Sequence, residues 1–170
     1  RQEGEAWAAG HSTFGVRVEG GALEFKPYHY PQGRPEGEEP PKLPEEGFRR
    51  EPKAAPAKEE TVGGAPVRFG APVVRRGGRT VGGGPGAART GEQGQLLLEK
   101  GEVVETLRNS RQGVDQTWRF ETLPQGTGAL EVRVPVVEGR FAGVTAKGLH
   151  FHAGELMVRY GHGTWVDAAG

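Results

Sequence analysis

Between Gln95 and Asp167 the apolar residues recur mostly at every second position, broken by short runs of Gly, Pro and Asn. A period of two places alternate side chains on opposite faces of a strand, and it does not fit the 3.6-residue period of a helix. Leu130, Val132, Val134 and Val136 share a face, with Glu131 and Arg133 on the other. Val114, Gln116, Trp118 and Phe120 share another. Leu149 and Phe151 alternate with His150 and His152, and Leu156, Val158 and Tyr160 alternate with Met157 and Arg159. Gly101, Asn109-Ser110, Pro124-Gln125-Gly126, Glu138-Gly139, Ala153-Gly154 and Gly161-His162-Gly163 read as the turns between them. Near the amino end, Phe14, Val16 and Val18 precede Gly20-Gly21, after which Leu23 and Phe25 alternate with Glu24 and Lys26. That is a β-hairpin over 13–26, against which Trp7 can pack.

These segments predict an all-β fold, an antiparallel β-sandwich or curled sheet of about nine strands. Residues 1–26 supply a hairpin that joins the sheet, and residues 95–170 form the main β-domain. Residues 27–94 between them read as a long Pro/Gly-rich extended arm. From Pro27 to Glu60 there are eight prolines, with eight acids and six bases interleaved. Proline removes a backbone donor and is excluded from helix interiors and central strands, so this stretch reads as an extended spacer or a segment that wraps a partner. Val67-Arg68-Phe69 and Val73-Val74 are expected only as edge strands, and Thr80–Gly94, with Gly82-Gly83-Gly84-Pro85-Gly86, as a flexible loop.

Several classes of function lack their chemistry here. The loop at 82–86 has no Lys-Ser/Thr ending and no following helix pattern, so it is not a Walker-type phosphate cradle. Lysine plus arginine and aspartate plus glutamate number 22 each, so no global field draws nucleic acid. Arg75, Arg76 and Arg79 form a basic cluster without aromatic stacking partners, which reads as a charged sheet edge. Cysteine is absent, which excludes disulfides and thiol catalysis. No apolar run approaches the ~20 residues of a membrane-spanning helix. The chain opens on Arg1 without a methionine and closes at a turn, which suggests a piece of a longer polypeptide.

Candidate chemistry is sparse. His150 and His152 project from one face of a strand with His162 one hairpin away, a geometry that suits zinc or copper. Equally, they are the solvent half of an amphipathic strand. A metal would need a carboxylate, with Glu155 or Asp167 nearest. A Ser-His-Asp triad can be drawn from Ser12 or Ser110, any histidine, and Asp115 or Asp167, yet no Gly-x-Ser-x-Gly elbow occurs. Trp118, Tyr160 and Trp165 could line a carbohydrate site, or simply pack. No cofactor is called for, and the chain reads as not an enzyme.

Two motifs carry a resemblance. The segment ETLRNSRQGVDQTWRFETLP, from Glu105, joins a polar strand to an aromatic-rich one through a Gly-x-x-Gln step. GLHF and VRYGHGTWVDAAG then close the chain. Residues 105–167, and more loosely 14–25, resemble N-terminal β-modules of long secreted or cell-surface bacterial proteins of the myxobacterial type. Those modules precede FG-GAP, immunoglobulin-like or RHS-type repeats. The resemblance implies a scaffold without a catalytic site, in an extracellular or cell-surface setting. Such modules continue past the Asp-Ala turn, so it also implies that the final strand or strands are missing from 95–170.

The expected function is therefore a non-catalytic structural or adhesive module that assembles by strand addition. Its partners would be other protein chains, further domains of the same precursor, or copies of itself. The alternatives are a pro-region or docking module of a secreted enzyme, and a metal-binding module built on His150, His152 and His162.

Overall fold

The computed structural model describes residues 6–28, 47–50 and 63–167. The fold is all-β and antiparallel, as the alternation predicts. No helix long and apolar enough to cross a membrane occurs among the described residues.

The amino-terminal part forms β1 (Ala6–His11), β2 (Phe14–Glu19) and β3 (Ala22–Pro27), followed by the short β4 (Arg49–Arg50). Next come β5 (Val67–Phe69), β6 (Val73–Arg76), β7 (Arg79–Gly83) and β8 (Ala87–Thr90). The run β9 (Leu96–Lys100), β10 (Val103–Ser110) and β11 (Gly113–Arg119) is a meander. β12 (Leu130–Arg133), β13 (Val136–Glu138), β14 (Arg140–Thr145), β15 (Gly148–Ala153) and β16 (Leu156–Tyr160) complete the fold. Among the described residues these strands form four sheets, ordered β13-β5-β3-β2-β1-β4, β11-β10-β9-β8, β12-β6-β7 and β14-β15-β16.

The hairpin read from Phe14 to Phe25 is β2–β3. Gly20 and Gly21 both take positive φ, 56° and 75°, the conformation a two-residue hairpin turn requires and only glycine adopts without strain. Its apolar residues continue across the sheet in two rows. Trp7, Val18, Leu23 and Phe69 face one another across β1, β2, β3 and β5, and Ala9, Val16, Phe25 and Val67 form the next row. Leu96, Leu98 and Leu107 cover this layer from β9 and β10, and Phe151, Ala153 and Val158 cover it from β15 and β16. A second, smaller cluster joins Val74 and Val81 to Val103, with Trp118, Phe120, Leu130 and Val132 against it.

Within the expected arm, residues 63–94 supply four strands, while 29–46 and 51–62 lie outside the described residues. Edge placement does not hold for two of those strands. β5 is flanked by β13 and β3, and β6 by β12 and β7. Val67 and Val74 are accordingly buried. The glycine run is not simply a loop either. Gly82 belongs to β7, where a Cβ would collide with Val103 and with the Lys100 carbonyl. Glycine there admits close approach of β7 to the β9–β10 turn.

One turn and one shared face differ from what the sequence indicates. Asn109 and Ser110 remain paired in β10, and the chain reverses at Arg111-Gln112. The face drawn through Leu130, Val132, Val134 and Val136 is split at Pro135. β12 pairs with β6, whereas β13 crosses to pair with β5 in another sheet. Proline lacks the N–H that would continue a ladder, and the Pro135 carbonyl instead accepts from Gly70 N at 2.7 Å.

Candidate functional site

Three features could carry function, and each follows from strand register. The first is a buried polar line. On the inward face of the meander, Leu96, Leu98 and Lys100 alternate along β9, and Val103, Glu105 and Leu107 along β10. Lys100 stands opposite Val103, and Glu105 opposite Leu98, so the two charges are diagonal neighbours. Nζ and Oε2 lie 2.5 Å apart, with both side chains only 1% exposed. The other Glu105 oxygen accepts from Gln116 Nε2 at 2.5 Å, and Tyr160 Oη donates to Gln116 Oε1 at 2.6 Å. The line thus runs β9, β10, β11, β16 and ties two sheets together.

Burial first, and then the Glu105 charge, push the Tyr160 phenol above its ordinary value, so it stays a donor. Among the described residues Lys100 Nζ has no other hydrogen-bond partner. Both charged side chains are almost fully buried, and each group named in the line is engaged by another member of it.

The second feature is the outward face of β14–β16. Phe151 and Ala153 point into the core, so His150 and His152 point out, as their alternation predicts. Cross-strand pairing builds two rows on that face. Arg140, His152 and Met157 form one, and Gly143, His150 and Arg159 the other. His150 Nε2 lies 2.9 Å from Thr145 Oγ1, and His162 Nε2 lies 3.0 Å from the Thr145 carbonyl. His150 and His162 therefore meet at Thr145, while His152 sits a row away beside Arg140. No group of three His, Asp or Glu side chains is arranged to hold a metal ion among the described residues.

The third feature is apolar surface on adjoining edges. Val137 is 59% exposed on β13, and Phe141 (55%) and Val144 (61%) are exposed on β14. This surface continues the core. The Phe141 ring meets Phe151 edge-on at 5.9 Å, and Phe151 meets Phe69 at 5.6 Å.

The remaining sequence candidates are dispersed. Ser12 Oγ lies 3.0 Å from its neighbour His11 Nδ1, with no carboxylate hydrogen-bonded to that ring among the described residues. Ser110 donates to the Gly113 carbonyl and closes its own turn. Trp118 packs on the Val74 cluster, Tyr160 is in the polar line, and Trp165 is exposed, so the three do not share a platform. Arg76 and Arg79 donate to the carbonyls of Pro124 and Gln125, and Arg79 also pairs with Glu102. They pin the 120s loop to the β6–β7 hairpin.

Sequence reasoning did not single out Lys100 or Glu105 as a pair. The signal was present, since both occupy apolar positions of a period-two pattern and carry opposite charge.

No protein-family model matches this chain, and no curated protein or solved structure does so either.

Proposed function

We propose that this chain is a non-catalytic, structural β-module of an exported or cell-surface protein that assembles with a second copy of itself through β14. The observation that carries this reading is the apolar edge. Among the described residues β14 pairs on one side only, with β15, and Phe141 and Val144 are exposed beside that edge. Phe141 faces Phe151 and Val144 faces Leu149 across a bulge, so both lie on one face although three residues apart.

Two β14 strands laid antiparallel about a two-fold axis would bring Phe141 of each opposite Val144 of the other. The same register sets Arg140 opposite Thr145, which keeps the arginines apart. Such isologous pairing satisfies free backbone groups and covers apolar surface in one step. The likeness of residues 105–167 to modules of secreted bacterial proteins supplies the setting.

Sedimentation velocity over a micromolar concentration range tests the reading. A monomer–dimer equilibrium is expected, abolished by Phe141→Glu. A chain that stays monomeric throughout, or a dimer indifferent to Phe141→Glu, would overturn it.

A further inference from the structure

The outward face of β14–β16 concentrates cations in a chain whose formal charge is zero. Arg140 and Arg159 occupy the two outer strands, with His152 and His150 between them on β15. Lys147, in the β14–β15 turn, and His162 flank the Thr145 end. Several arginines elsewhere are partnered by a carboxylate, as in Arg17–Glu19, Arg79–Glu102, Arg89–Glu99 and Arg133–Glu131. Arg140, Lys147 and Arg159 make no ion pair among the described residues. The nearest acids along the chain, Glu138 and Glu155, precede Arg140 and sit in the β15–β16 turn, outside both rows.

We infer that this face binds an acidic polysaccharide, a chain of sugars bearing carboxylate or sulfate groups. Its rows are about 7 Å apart and its strands about 5 Å apart, so the cations are spread over a flat surface rather than gathered at a point. The two cavities described are lined by other residues. A ligand that meets cations spread over a flat face in this way is extended. Guanidinium groups grip carboxylate and sulfate through paired donors. Imidazole and the Thr145 hydroxyl both donate and accept, which suits sugar hydroxyls.

Two other polyanions fit less well. Duplex DNA binding typically engages six to ten phosphates, more than about three permanent charges can neutralise. Lysine and arginine contribute about 1 kcal/mol each at an anionic membrane, and Met157 is the single apolar side chain in the two rows available to insert. The rows also carry no Phe, Tyr or Trp ring, the broad platforms on which the bases of a single strand stack best.

Affinity electrophoresis of the full chain tests this, with dextran sulfate, polygalacturonate or neutral dextran cast into the gel. Retardation is expected with one or both acidic polymers and not with neutral dextran. It should weaken as salt is raised. Arg140→Glu with Arg159→Glu should weaken apparent affinity at least tenfold, whereas Arg89→Glu with Arg108→Glu, on another sheet, should leave it within twofold. No retardation in either acidic gel, equal loss from both double variants, or tighter binding to duplex DNA or anionic vesicles would each overturn the inference. The face is distinct from the apolar edge of β14. Phe141→Glu, measured alongside, abolishes self-association and should leave retardation in place, which separates failure of one reading from failure of the other.

Discussion

Replacing Glu105 by leucine should be among the most destabilising single changes this chain can suffer. The carboxylate is the charge partner of Lys100 and has no contact with solvent that could substitute for it. Glu105→Leu therefore strands a buried ammonium with no other hydrogen-bond partner among the described residues, at a cost of about 5 kcal/mol. Lys100→Met should cost less, about 3 kcal/mol, because the carboxylate left behind still accepts from Gln116. At about 2–4 °C of midpoint per kcal/mol for a domain of this size, the two variants should be separable by heat as well as by urea.

The double variant is the sharper test. Adding Lys100→Met to Glu105→Leu removes the stranded charge and should restore about 2 kcal/mol. The deficit that remains belongs to the Gln116 amide N–H, which no longer has an acceptor. Urea unfolding with a constant slope reads all three values. A Glu105→Leu cost below about 1 kcal/mol, or a double variant that falls by the sum of the singles, would refute the buried pairing.

Two further perturbations follow from the same interior. Tyr160→Phe leaves Gln116 Oε1 without its donor and should cost about 1–2 kcal/mol. Because the folded phenol is held above its ordinary value, its contribution is intact below about pH 10 and is lost as pH rises beyond it. Urea midpoints across that range should fall more steeply for the parent chain than for Tyr160→Phe. Gly82→Ala drives a Cβ into Val103 and the Lys100 carbonyl, and should cost about 1–3 kcal/mol or more, whereas alanine at exposed Gly163 should be silent in the same melt.

The sequence announces much of this fold because alternation survives wherever one face is buried and the other wet. The β2–β3 hairpin and the β15–β16 pair are legible for that reason. Val67-Arg68-Phe69 also alternates, but its neighbours in the sheet are β3 and β13, far away in the chain, and prolines nearby argue for an edge. Gly82 hides its burial because it has no side chain to count as apolar. The crossing at Pro135 is written in a single residue, and the apolar positions on either side continue as if nothing had happened. The outward histidines are readable from their strand, whereas the arginines that join them come from strands whose register no local pattern specifies.

Tyr160 belongs to the last described strand, yet it completes a line begun sixty residues earlier. Until that strand arrives, Gln116 has one bond fewer and Phe69 lacks the ring that leans on it at 4.9 Å. The β15–β16 hairpin is thus a latch, and without it the polar seam stands ajar. Any shortening that removes Tyr160 should loosen the meander that precedes it as well as the sheet it belongs to.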